Sequence, residues 1–233
     1  MSRFVEIANH FQLDTGAVSA EGYGGGHIND TFLLTTESGR NYILQRINTS
    51  VFTNAEALMN NVILITDFLK KKIAAAGGDT ERETLTVILT DEGKPLYWDG
   101  GECWRVYTFI KGAVNLQTCE TGQQFQASAS AFGHFQKLLA DFPADTLYES
   151  IPNFHNTKAR FLDFEEAVAR DACGRAASVA QEIAFVRGRR EFASVLVDMQ
   201  ERGELPLRVT HNDTKLDNVL FDRESGQPLA VVD

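Results

Sequence analysis

The sequence is short of positive charge: 22 Lys and Arg stand against 32 Asp and Glu, a formal net charge of −10. Non-specific nucleic-acid binding runs on a basic footprint, so no nucleic-acid partner is expected. A phosphate site is not excluded, because local dipoles and a bound cation can dominate there. Cysteine is scarce: Cys103, Cys119 and Cys173 are odd in number, widely spaced and in no CxxC or Cys/His ligand pattern. Neither a zinc site nor a disulfide framework is indicated, and a reducing cytoplasm is the simplest compartment. Long hydrophobic runs are missing. The start, Met1-Ser2-Arg3-Phe4-Val5-Glu6-Ile7, lacks the apolar core of a signal peptide. The longest apolar stretches fall well short of a bilayer span, so no membrane association is expected. Glycine and proline are not in excess, and repeats and low-complexity linkers are absent, which excludes a disordered chain.

What is present is a chain of 233 residues, 43% hydrophobic, enough for one large domain or two small lobes. Residues 1–110 read as strand-rich. Val18 to Thr36 predicts two strands around a glycine-rich turn. Arg40 to Asn48 predicts a third, with Tyr42, Leu44 and Arg46 on one face and Ile43, Gln45 and Ile47 on the other. Thr84 to Thr90, Leu96 to Trp98 and Cys103 to Ile110 predict further strands. One helix interrupts them, Asn54 to Lys72, with Leu58, Val62, Ile65 and Leu69 on one face and a capping-box signature at Thr53 and Glu56. Residues 111–233 predict helices over Thr121–Asp141 (apolar face Phe125, Ala129, Phe132, Phe135, Leu139), Lys158–Arg170 and Gln181–Arg202. Two short apolar runs follow, Val219–Phe221 and Leu229–Val232. The expected class is α+β: an antiparallel N-terminal sheet with one helix and a mainly helical C-terminal part, joined at Phe109–Asn115. Clefts between such lobes are common ligand sites.

The strongest motif is Val209-Thr210-His211-Asn212-Asp213-Thr214-Lys215-Leu216-Asp217-Asn218-Val219-Leu220-Phe221. Its His-x-Asp-x-Lys-x-x-Asn core has the spacing of a kinase catalytic loop, and that assigns a protein-kinase-like two-lobed fold. In that pattern Asp213 orients the acceptor hydroxyl and takes its proton. Lys215 neutralises charge on the transferring phosphoryl group. Asn218 offers an oxygen to Mg²⁺, a hard cation that takes oxygen ligands. His211 reads as a residue bracing the loop. Beyond Asn218, Leu229-Ala230-Val231-Val232-Asp233 is an apolar strand ending in a carboxylate. Alone this is a turn aspartate; after the catalytic loop it reads as the second Mg²⁺ ligand.

Weaker signals complete the pattern. Gly24, Gly25 and Gly26 lie in a turn between two strands, where backbone N–H groups can approach ATP phosphates without a Cβ in the way. It is not a P-loop, because no Gly-Lys-Ser/Thr follows and no helix opens after it. Arg46 or Gln45 stands where a third-strand lysine is usual; Arg46 is preferred because it carries the charge, with a solvent-facing arginine as the plain alternative. Glu56 could pair with it, and the capping box explains Glu56 equally well. The strand at Val106–Ile110 is the hinge candidate, with backbone groups of Thr108 and Ile110 toward adenine.

Together these residues resemble the aminoglycoside phosphotransferase and choline kinase-like superfamily. Within it the chain looks most like the N-acetylhexosamine 1-kinases. The matching stretches are Gly-Gly-His-Ile-Asn-Asp-Thr-Phe (25–32), Tyr-Ile-Leu-Gln-Arg-Ile-Asn (42–48), Trp-Arg-Val-Tyr-Thr-Phe-Ile (104–110), Phe-His-Asn-Thr-Lys-Ala-Arg-Phe (154–161) and His-Asn-Asp-Thr-Lys-Leu-Asp-Asn (211–218). The resemblance implies ATP- and Mg²⁺-dependent phosphorylation of the anomeric hydroxyl of a sugar such as N-acetylglucosamine or N-acetylgalactosamine. His27, Phe154 and His155 are then candidates for substrate contacts, and equally for ordinary packing. Members of the superfamily continue past the metal aspartate, so the resemblance also implies a C-terminally truncated chain with an incomplete helical lobe. A kinase of another small metabolite, of amino-alcohol or aminoglycoside type, and an inactive nucleotide-binding fragment or pseudokinase remain open.

Overall fold

The computed structural model describes residues 2–24 and 28–233. By contacts it divides into two compact units: residues up to Ser150 together with Val209–Asp233, and Ile151–Arg208.

The larger unit is organised by an antiparallel sheet. Its strands are β1 (Ala17–Gly22), β2 (Asp30–Thr36), β3 (Asn41–Ile47), β4 (Val87–Ile88), β5 (Tyr97–Asp99) and β6 (Glu102–Thr108), with α1 (Arg3–Ala8) ahead of them and α2 (Ala55–Ala75) between β3 and β4. The order is β1-β2-β3-β6-β4, and β5 also pairs with β6. Alternation in β3 sorts its side chains as the period of two requires. Tyr42 and Leu44 join Leu34, Trp104 and Val106 on one face, covered by Val5, Ile7 and Ala8 of α1 and by Phe11. Each fully buried side chain of this size contributes roughly 1.5–3 kcal/mol. Ile47 and Cys103 turn to the other face, where Ala55 and Met59 of α2 and Leu96 cover them.

Several local expectations are corrected. α1 was not anticipated; it is a single short element whose N-cap Ser2 accepts from Val5 N–H. The Thr84–Thr90 run forms only the two-residue β4. α2 is capped by Asn54, whose Oδ1 accepts from Ala57 N–H at 3.0 Å, not by a Thr53–Glu56 box. Its buried residues are Ala55, Met59, Thr66, Leu69 and Ile73, with Leu58, Val62 and Ile65 only half-buried beside them.

The rest of this unit is β7 (Ala113–Asn115), α3 (Gly122–Leu138), β8 (Val219–Asp222) and β9 (Pro228–Val231); the three strands form a second antiparallel sheet, β7-β8-β9. A capping box does occur at the start of α3, between Thr121 and Gln124. α3 packs twice: Phe132 on Val219 and Phe221 of the small sheet, and Phe135 with Leu139 on Leu69 and Ile73 of α2. Phe125, placed by periodicity on the same face, is 70% exposed. The apolar residues of α3 that join a core cluster begin at Ala127.

The smaller unit holds α4 (Thr157–Arg170), α5 (Ala180–Arg187) and α6 (Arg190–Glu201). The single helix expected over 181–202 is two helices, because the chain turns at Gly188 and Arg189. Lys158 of α4 ties to Asp198 and Glu201 of α6, and Glu165 to Arg187 of α5.

Among the described residues, no helix is long and apolar enough to cross a membrane. The three cysteines are unpaired, Cys103 buried and the other two exposed. Burial pushes the Cys103 thiol up to about 11. An alkylating reagent at pH 8 should therefore modify Cys119 and Cys173 in the folded protein and reach Cys103 only after denaturation. Mass spectrometry with and without denaturant reads this, and rapid labelling of all three in the native protein would contradict the buried placement.

Candidate active site

The loop from His211 to Asn218 is held by short-range bonds that follow from its sequence. Asn212 adopts a left-handed backbone (φ 67°), which asparagine tolerates better than most residues. That reversal returns the Asp213 N–H to Nδ1 of His211 at 3.3 Å. Since Nδ1 accepts, Nε2 carries the proton and donates to the Val232 carbonyl at 2.9 Å. The imidazole is wedged edge-on between Phe132 and Phe135 of α3. His211 therefore braces the loop against the end of β9, as its sequence position suggested.

A second tie acts in the same place. Val232 N–H donates to the Asn218 carbonyl at 2.9 Å, and Val219 pairs with Val231. Residue 233 consequently emerges beside the loop. Asn218 is 4% exposed, and its side-chain amide donates to the Asp213 carbonyl (2.9 Å) and to Asp213 Oδ2 (3.1 Å). Both bonds use Nδ2, and Oδ1 takes no hydrogen bond among the described residues. Lys215 Nζ lies 3.4 Å from Asp213 Oδ2 and 3.6 Å from Asp217 Oδ2. Partial burial pulls the Lys215 ammonium pKa down; the charges of Asp213, Asp217 and Asp233 more than offset this and leave it raised. So Asp213, Lys215, Asn218 and Asp233 form one electrostatic cluster. Asn218 Oδ1 and the Asp233 carboxylate are both oxygen groups, the ligand type that a hard ion such as Mg²⁺ takes.

Burial raises the pKa of the Tyr107 phenol; the Arg105 cation opposes this and the charge of Asp233 adds to it. Asp233 is therefore within electrostatic reach of β6. At the far end of β6, Thr108 N–H is taken by the Thr86 carbonyl at 3.0 Å, so of its backbone groups only the carbonyl is left for an outside donor. Its buried hydroxyl has no partner among the described residues. Ile110 is buried, and the ring of Tyr23 meets that of Phe109 edge-on at 5.9 Å between centroids.

The sequence expectation for Arg46 is corrected. Arg46 pairs with Trp104 in the ladder and points to the α1 side of the sheet. There it is ion-paired with Asp30 and Glu102, at the edge of an open polar cleft of about 370 Å³. Two carboxylates already neutralise it, which makes that position unsuited to an anion. The residue on the α2 side is Gln45. Glu56 is exposed in the first turn of α2, and Met59 occupies the inward position one turn on.

Gly24 has φ 77°, a conformation that glycine adopts without cost. Gly25, Gly26 and His27 lie outside the described residues. Phe154 and His155 belong to the smaller unit, where their rings meet edge-on at 4.5 Å and Arg160 donates to the Phe154 carbonyl.

The model of the phosphotransferase enzyme family matches residues 19–233. Among solved structures, an aminoglycoside phosphotransferase from Alicyclobacillus acidocaldarius is similar over 98% of this chain and 64% of its own, at 15% identity and a TM-score of 0.59. A spectinomycin phosphotransferase in its AMP-bound form is similar over 99% of this chain and 68% of its own, at 16% identity and a TM-score of 0.50. At such identities the likeness bears on fold: the mixed α+β architecture with its antiparallel N-terminal sheet is that of kinase-like phosphotransferases. This chain spans less than two thirds of the length of the first of these structures.

Proposed function

This chain belongs to the phosphotransferase enzyme family, and from that premise we propose that it transfers the terminal phosphoryl group of ATP to a hydroxyl of a small molecule, specifically the anomeric hydroxyl of an N-acetylhexosamine. The observation that carries the reading is the pair of bonds that tie Val232, the residue before Asp233, to His211 and Asn218 of the Asp-x-Lys-x-x-Asn loop. We assign residues 1–110 to the nucleotide lobe of this reading and residues 111–233 to its mainly helical lobe.

In this reading the hydroxyl oxygen forms a bond to the γ-phosphorus as the bond to the bridging oxygen breaks. ADP leaves with that electron pair, and the hydroxyl proton passes to the Asp213 carboxylate. Lys215, 3.4 Å from Asp213, presents its charge to the transferring group. Asn218 Oδ1 and Asp233 would hold Mg²⁺, which when bound would supply charge neutralisation. The carbonyl of Thr108 and the backbone of Ile110 meet adenine, and Gly24, Gly25 and Gly26 meet phosphate. Contacts to the sugar from His27, Phe154 and His155 rest on the sequence resemblance alone.

The test is ADP release by the protein carrying this sequence, with ATP, Mg²⁺ and a panel of acceptors. N-acetylglucosamine or N-acetylgalactosamine should stimulate release and be recovered as the 1-phosphate. Stimulation only by amino alcohols or aminoglycosides would keep the chemistry and overturn the acceptor. Nucleotide binding with no turnover across the panel would instead make the chain an inactive nucleotide-binding fragment.

A further inference from the structure

We propose that Arg105, on β6, is the cation that holds the nucleotide phosphates, in place of a third-strand lysine; this rests on the ATP-binding reading above. In the kinase pattern a lysine on the third strand reaches the phosphates and pairs with a helix glutamate. Here neither residue is present in that role. The third-strand side chain on the α2 side is Gln45, uncharged, and the facing residue of α2 is Met59.

The missing charge stands one strand over. Gln45 and Arg105 are direct partners in the β3–β6 ladder, Thr31 is the partner of Gln45 in β2–β3, and Tyr23 N–H donates to the Thr31 carbonyl. A single row of residues thus runs from Tyr23 through Thr31 and Gln45 to Arg105. The amide of Gln45 is fixed within it: Nε2 donates to Thr31 Oγ1 at 3.0 Å, and Oε1 accepts from Arg105 Nε at 3.0 Å. Gln45 thereby aims the guanidinium.

Arg105 is 5% exposed, yet its neighbours carry no compensating charge. They are the Gln45 carbonyl, Met59 Sδ at 3.6 Å from Nη1, and the Tyr107 ring, whose centroid is 5.1 Å from the guanidinium carbon. Among the described residues no carboxylate lies within ion-pair distance of it. Arg46, on the opposite side of the sheet, has two. A buried guanidinium without a counter-charge is costly unless an anion completes the site. The row ends at Tyr23 on one side and at Arg105 on the other. The anion that fits is the polyphosphate of the nucleotide, so the ion pair of the usual pattern is replaced by an Arg–Gln pair on adjacent strands.

The experiment is calorimetric titration of adenosine and ADP into the protein and its variants. Arg105→Met should weaken ADP about 10- to 100-fold, the scale of a charged hydrogen-bonded contact, and leave adenosine within about twofold. The double variant Gln45→Lys/Arg105→Met returns the cation to the third strand and should recover most of the ADP affinity. If Arg105→Met does not fold, Gln45→Glu gives the guanidinium a carboxylate in place; it should raise the melting temperature while weakening ADP and sparing adenosine. Equal loss of adenosine and ADP in Arg105→Met, or unchanged ADP affinity in a folded variant, overturns the proposal and leaves the kinase reading standing. Wild-type protein that binds neither ligand overturns the kinase reading itself.

Discussion

Replacing Asp213 by asparagine should lower turnover roughly 10²–10⁴-fold, the usual contribution of a positioned general base, with the KM for ATP and the melting temperature nearly unchanged. The asymmetry follows from what Asp213 touches. Its backbone carbonyl anchors Asn218 at 2.9 Å, and its N–H anchors His211; both survive the substitution. Its carboxylate is exposed and, among the described residues, meets only Asn218 Nδ2 and Lys215. Losing it therefore costs little in packing, while a carboxamide cannot accept the hydroxyl proton. One side effect has a defined sign: part of the electrostatic support that raises the Lys215 pKa is removed, so that ammonium moves back toward its ordinary value. Steady-state kinetics and a thermal melt on the same preparation check the prediction. Turnover near that of the wild type would remove Asp213 from the chemistry.

How far the sequence carries depends on whether a feature is local. The strands from Ala17 to Ile47 and the β6 strand are legible because alternation of apolar side chains is a property of neighbouring residues. The bonds that hold the His211–Asn218 loop are legible for the same reason, since they join residues only two to five positions apart. The choice between Gln45 and Arg46 was not. Alternation separates Gln45 from Arg46 onto opposite faces, but which face α2 covers is decided by long-range packing of Ile47 and Cys103 on Met59. Charge then misdirected the choice, because Arg46 spends its charge on Asp30 and Glu102, residues 16 and 56 positions away. The Gln45–Arg105 contact is equally non-local, because it spans 60 positions. The helix errors have another origin. Periodicity sees the phase of α3 but not where its partners begin, so Phe125 looked buried. Gly188 costs a helix only about 1 kcal/mol relative to alanine, too little to mark the break between α5 and α6 from sequence. At the start of α2, Thr53 and Asn54 are both good caps, and local sequence does not decide between adjacent candidates.

The second large effect is expected at Asp233, where asparagine should reduce turnover on the order of 10²–10³-fold, comparable to losing one strong electrostatic contact to the transferring group, and raise the Mg²⁺ concentration needed for half-maximal rate. The plain alternative is that Asp233 merely ends a strand. The two differ in what they predict for stability. β9 is held by its pairing with Val219 and Leu220 and by the Val232 bonds to His211 and Asn218, and none of these uses the Asp233 side chain. A ligand role therefore predicts lost activity with an unchanged melt and a shifted Mg²⁺ dependence; a strand-end role predicts neither the activity loss nor the shift. The double variant Asp213→Asn/Asp233→Asn sharpens the comparison. Groups that act on one transferring phosphoryl are strongly non-additive, so the pair should lose little more than the worse single variant. Multiplicative losses would mean that the two carboxylates serve separate sites, and the cluster built around Val232 would then have no common chemistry.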